Sequence, residues 1–130
     1  MGDVVSLVMQ MEPLEEVRLE PDRLAELFVQ LGQQGAEDVV CRAMEEISLR
    51  LAKVRSAYDR GDLARVRKLT RSLVAISEQI GLVALARVAG DVAYCAAGHD
   101  SVALIAVLTR LQRIGEQSVT AVWDIRDLSV

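Results

Sequence analysis

Aromatic residues are nearly missing from this chain. One Trp, one Phe and two Tyr make up 3% of 130 residues, against a hydrophobic content of 52%, so whatever core it builds is aliphatic. Turn-forming residues are also scarce, with two Pro and eight Gly. A chain rich in Leu, Val, Ile and Ala with so few breakers favours helices packed on helices over a sheet sandwich. The two cysteines, Cys41 and Cys95, lie inside apolar helical runs with no CxxC spacing, and they read as reduced, buried thiols. No apolar stretch approaches the ~20 residues of a membrane span. The run from Val4 to Met11 has neither a basic leader nor a small-residue cleavage site. A cytoplasmic protein without membrane contact is expected. G-x-S-x-G, a phosphate-binding Gly loop and HExxH are all missing, so the expectation is a protein that is not an enzyme and carries no cofactor or metal.

What is present is helical periodicity and an uneven charge. The length suits one domain with a single core. A net charge of −4 argues against nucleic acid as a partner. Residues 1–38 hold nine acids and two bases, whereas residues 39–90 hold five acids and ten bases, which makes the middle of the chain a basic hairpin on an acidic protein. Residues 1–20 show no clear period and are expected to form an appended arm. A first helix opens at Pro21 and carries Leu24, Leu27, Phe28 and Leu31 before Gly32. A second, from about Ala36 to Arg60, has Val40, Ala43, Ile47, Leu51 and Val54 on one stripe and ends at Gly61. Asp62 is a good cap for the third, the fourth takes Leu82 to Ala97, and the fifth runs from a cap at Asp100 to near Trp123. Short connections between long amphipathic helices predict an all-α fold, an up-down antiparallel bundle with a four-helix core and a short N-terminal helix, over residues 21–126, with 127–130 as a tail.

The third helix carries the most specific signal. Val66, Leu69, Leu73, Ile76 and Ile80 recur at the spacing of one helix face, and at about 100° per residue Arg71 lies roughly 170° from the centre of that stripe, pointing to water among Arg67, Val74, Ala75 and Glu78. The stretch Arg71-Ser72-Leu73-Val74-Ala75, with Asp62 at the helix start and Gly81-Leu82 at its end, resembles in ungapped register the His-x-Leu-Lys-Gly stretch of the histidine-containing phosphotransfer (HPt) family. Leu82, Leu85, Val88 and Val92 extend the match along the following helix, and Asp91 falls where that family often has an acidic residue. The resemblance spans roughly Pro21 to Val92. Its departures fall on the residues that give the family its activity: the phospho-accepting His is Arg71 here, the Lys is Val74, and the Gly that lets a partner approach is Ala75.

The resemblance implies a bundle that docks a response-regulator receiver domain or a histidine kinase. The departures imply that docking proceeds without phosphoryl transfer, because a guanidinium stays protonated and is no nucleophile. Arg67, Arg71, Val74, Ala75 and Glu78 are then the partner-binding residues, and no residue is expected to be catalytic. A receiver presents an acidic pocket, against which Arg71 and Arg67 would act as fixed cations. Arg50, Lys53, Arg55, Arg60, Arg65 and Lys68 widen the basic region and read as solvated faces of an amphipathic helix pair. Two other readings stay open. One is a structural or self-associating bundle, with the apolar arm pairing two chains into a homodimer. The other is a true phosphotransfer protein using His99, the only histidine, although its neighbour Asp100 points away from it and it reads better as a loop residue.

Overall fold

The computed structural model describes residues 20–98 and 100–129, and side chains as far as Val122. The described part is helical, with no strand: α1 Pro21–Asp59, α2 Leu63–Gln79, α3 Val83–Ala97 and α4 Ser101–Ser129. The break expected at Gly32 is present, since that residue leaves helical geometry at φ 74°, ψ 175° and divides α1 into two segments. Gln33 and Gln34 start the second segment at once, each donating a side-chain hydrogen bond one turn ahead, to Glu37 and Asp38. Both expected caps form. Asp62 accepts from the Arg65 amide at 3.1 Å and Asp100 from the Ala103 amide at 3.0 Å, each satisfying an N–H that the first helical turn leaves unpaired. Helix α4 continues past Trp123 to Ser129, because no Gly or Pro follows Gly115 to stop it.

Each helix packs on the next, and α4 closes on α1, while among the described residues the backbones of the diagonal pairs α1·α3 and α2·α4 do not approach closely. The shared interior is aliphatic as expected, with Leu24, Leu27, Met44, Ile47, Val54, Leu73, Leu85, Val88, Val92, Leu111 and Ile114 buried in it. At the α1–α4 contact Leu51 fills the space beside Gly115, where a β-carbon would sit 2.5 Å from its Cδ1, and Gln112 Nε2 donates to the Leu51 carbonyl at 3.1 Å. None of the described helices is long and apolar enough to cross a membrane.

The α2–α3 contact is the most extensive of the four, and it changes the expected face of α2. Thr70 and Ser77 are fully buried, while Ile76, expected in the core, is only half-buried. The buried stripe is therefore Val66, Leu69, Thr70, Leu73, Ser77 and Ile80, turned toward α3. Small side chains allow it: Thr70 and Ser77 face a helix that buries Ala86, Ala89 and Ala93, and Thr70 satisfies its own hydroxyl by donating to the Val66 carbonyl at 2.8 Å. Cys41 and Cys95 are free thiols, half-buried rather than buried.

A turn at Gly81 fixes the start of α1 against the α2–α3 corner. Gly81 has φ +80°. Its amide bonds the Glu78 carbonyl and the Leu82 amide bonds the Ser77 carbonyl, a Schellman closure that satisfies the last carbonyls of α2. The Gly81 carbonyl in turn accepts from the Glu20 amide at 2.7 Å, and Arg23 Nε donates to the Gln79 carbonyl at 2.6 Å, placing a cation where the helix dipole is negative. The expected arm before Glu20, and His99, lie outside the described residues.

Candidate functional site

Arg71 is exposed on α2, as helix geometry requires, but it does not stand on a bare convex face. Because the buried stripe is turned toward α3, Arg67, Arg71 and Val74 form one wall of an open groove whose other wall is Gly90, Ala93, Tyr94 and Ala97 of α3. Val74 is half-buried at the bottom, and a β-carbon on Gly90 would meet its Cγ2 at 3.9 Å. Tyr94 stands 83% exposed at the rim. Arg67 and Arg71 are one helical turn apart, about 6 Å along the axis, and neither forms an ion pair with a described residue.

Charge distinguishes this groove from two others among the described residues. One, at the Gly81 corner, sets Glu20 and Glu78 beside Arg23 and Arg87. Another, between α1 and α2, sets Asp38 and Glu46 beside Arg42. The Arg67–Arg71 groove has two cations and no acid in its lining. With neighbours of opposite sign the first two are internally compensated, whereas the third offers uncompensated guanidinium donors with a planar, bidentate geometry suited to carboxylate or phosphoryl oxygens.

The five residues expected to form the partner surface therefore divide. Arg67, Arg71 and Val74 are brought together. Val74, expected to face water, is packed against α3. Ala75 is exposed and lines none of the three grooves, and Glu78 belongs to the Gly81 corner. Of the wider basic set, Lys53, Arg55, Arg60, Arg65 and Lys68 are exposed, but Arg50 is not simply solvated. Its Nε donates to Ser72 Oγ at 2.7 Å and its Nη1 pairs with Glu46, so it ties α1 to α2 at the residue after Arg71. The α3 wall was not read from the sequence. The available signal is a row of small residues, Gly90, Ala93 and Ala97, at three-and-four spacing beside the only tyrosine on that helix.

Among the described residues no cluster of three His, Cys, Asp or Glu side chains is arranged to hold a metal ion. Comparison with protein-family models, with curated proteins and with solved structures finds no match to this chain.

Proposed function

We propose that this chain is a cytoplasmic HPt-like module of two-component signalling that docks a receiver domain or a histidine kinase through the exposed face of α2 and acts by occupancy, without transferring a phosphoryl group. The observation that carries the reading is the acid-free groove with Arg71 and Arg67 on its wall, at the place where the resemblance puts the phospho-accepting His. The proposed architecture is an up-down antiparallel bundle with the short segment before Gly32 lying across one end. Pairings of opposite chain direction support it: Arg50 meets Ser72 while Asp38–Glu46 flank Ile76 and Gln79, and Val74 meets Gly90 while Arg67 lies in the same groove as Ala97.

Docking against an acidic pocket makes Arg71 the centre of a partly desolvated charge pair. Breaking such a pair costs about 2–5 kcal/mol, so Arg71→Glu should weaken binding by at least about thirtyfold with the helical spectrum unchanged. Arg55→Glu, exposed on α1 and outside the groove lining, should alter mainly the association rate and its salt dependence. Calorimetric titration of receiver domains against the wild type and both variants is the measurement, and equal affinities for all three would mean that the face is idle. A second reading, a self-associating bundle, has its own observation: Val102 and Ile105 stand 77% and 52% exposed near the start of α4, apolar area that a second copy would cover. Sedimentation equilibrium of the wild type and of Val102→Ser/Ile105→Ser separates the two readings.

A further inference from the structure

We propose that the α2–α3 groove is a receptor for a dianionic phosphoryl group carried on a side chain of a partner protein, with Arg67 and Arg71 as the ligating residues and the Tyr94 hydroxyl as a third donor. This rests on the docking reading above and adds to it the state of the partner that is bound. A carboxylate and a phosphoryl group both suit guanidinium, and three features of the groove favour the phosphoryl group. First, two arginines on successive turns of one helix line one groove, and two positive charges match a dianion, whereas one carboxylate neutralises only one of them. Second, the lining holds no acid, so nothing repels the second negative charge, in contrast to the corner groove with Glu20 and Glu78 and the α1–α2 groove with Asp38 and Glu46. Third, the α3 wall is Gly90, Ala93 and Ala97, short enough for a tetrahedral group to descend between the helices, while Tyr94 at the rim brings a hydroxyl donor on a rigid ring.

Binding is non-covalent. A guanidinium group is a hydrogen-bond donor with no lone pair to offer phosphorus, so Arg67 and Arg71 hold the phosphoryl group while it stays on the partner. The consequence is selectivity. A partner in its phosphorylated state is held more tightly than the same partner without the group, so the chain reports on, or sequesters, the phosphorylated form.

The test has two arms on the 130-residue chain. In the first, nitrogen-15 side-chain spectra are recorded while inorganic phosphate or acetate is added at matched ionic strength. Phosphate should shift the Arg67 and Arg71 Nε–H signals saturably, with the effect reduced at least tenfold in Arg67→Gln and in Arg71→Gln and weakened in Tyr94→Phe. Equal shifts with acetate, or no saturable shift, would overturn the assignment. In the second, receiver domains are titrated with and without beryllofluoride, which stands in for the phosphoryl group on the aspartate. At least tenfold tighter binding of the beryllofluoride form, lost in Arg71→Gln, is expected. Equal binding of both forms would refute phosphoryl recognition and leave docking intact. Binding of neither form would remove the receiver reading, and the phosphate titration alone would then decide the groove.

Discussion

Substituting Ala for Gly81 should cost the fold about 2–4 kcal/mol, and the figure follows from the corner that Gly81 occupies. Its φ of +80° places an L-residue's β-carbon in the left-handed region, at about 1–2 kcal/mol. The added carbon would also sit 2.9 Å from Glu20 Cβ, 3.1 Å from the Glu20 amide nitrogen and 3.2 Å from Arg23 Cβ. The Glu20 backbone would then have to move, weakening its 2.7 Å bond to the Gly81 carbonyl and the 2.6 Å bond from Arg23 to Gln79. At about 1 kcal/mol for each of two partly exposed bonds, and with about 0.4–1 kcal/mol returned by the stiffer unfolded chain, the balance is a loss. For a domain of this size it corresponds to a fall in melting temperature on the order of 10 °C. Urea denaturation followed by far-ultraviolet circular dichroism measures it, and Gly90→Ala is the matched control. Gly90 lies inside α3, where a new β-carbon first meets Val74 Cγ2 at an ordinary 3.9 Å, so that change should stabilise by about 0.5–1 kcal/mol. Equal shifts for the two variants, or a Gly81→Ala midpoint at or above wild type, would refute the reasoning.

Arg50→Ala should destabilise by about 1 kcal/mol through loss of the Ser72 bond, the half-exposed pairing with Glu46 adding little, and the double substitution with Ser72→Ala should show non-additivity in the same denaturation assay. Ser77→Ala should leave stability unchanged or raise it by up to about 1 kcal/mol, because the buried Ser77 hydroxyl has no hydrogen-bond partner among the described residues and Ala is the better helix former; a loss above 1 kcal/mol would mean that the hydroxyl is satisfied after all. The triple change Arg71→His, Val74→Lys, Ala75→Gly should fold with a loss of about 1–2 kcal/mol, part from the helix glycine and part from Val74 leaving its contact with α3. It should gain acid-labile phosphate from a phosphorylated receiver, whereas the wild type should show none.

Most helix breaks and caps were legible because they depend on local chemistry, whereas the end of α4 was not, since it runs on to Ser129 rather than stopping near Trp123. Gly32, Gly61, Gly81 and Gly98 all fall where helical geometry breaks or ends, and Asp62 and Asp100 cap as their position before an apolar run implies. The rotation of α2 was not legible, since a hydropathy stripe counts Thr70 and Ser77 as surface residues. Both are small enough to enter a close helix–helix contact, and a threonine can satisfy its hydroxyl on its own helix, so packing density, not hydropathy, selected the buried face. The same limit hid the groove. Arg71 was placed correctly on the exposed side from α2 alone, but the wall opposite it belongs to another helix, and Val74 was misread as solvent-facing because its neighbour Gly90 is distant in sequence. Arg50 was read as a solvated charge for the same reason: its partner Ser72 lies on the next helix.

On the proposed reading, the three departures from the phosphotransfer pattern form one change of mechanism rather than three separate losses. A transfer site must hold a phosphoryl group briefly and pass it on, which needs a neutral nucleophile and a mobile cation. With Arg71 in place of the His and Arg67 one turn before it, both positions are guanidinium groups rich in donors, so the same anion would be bound more firmly and given no path onward. Val74 in place of the Lys removes the flexible cation and instead seals the floor of the groove against Gly90. Ala75 in place of the Gly restores helix propensity at a point where close approach to reacting atoms is no longer needed. A site altered in this direction gains residence time and loses turnover, as a module acting by occupancy requires. The corresponding kinetic signature is that substitutions in the groove change the dissociation rate of a phosphorylated partner far more than its association rate.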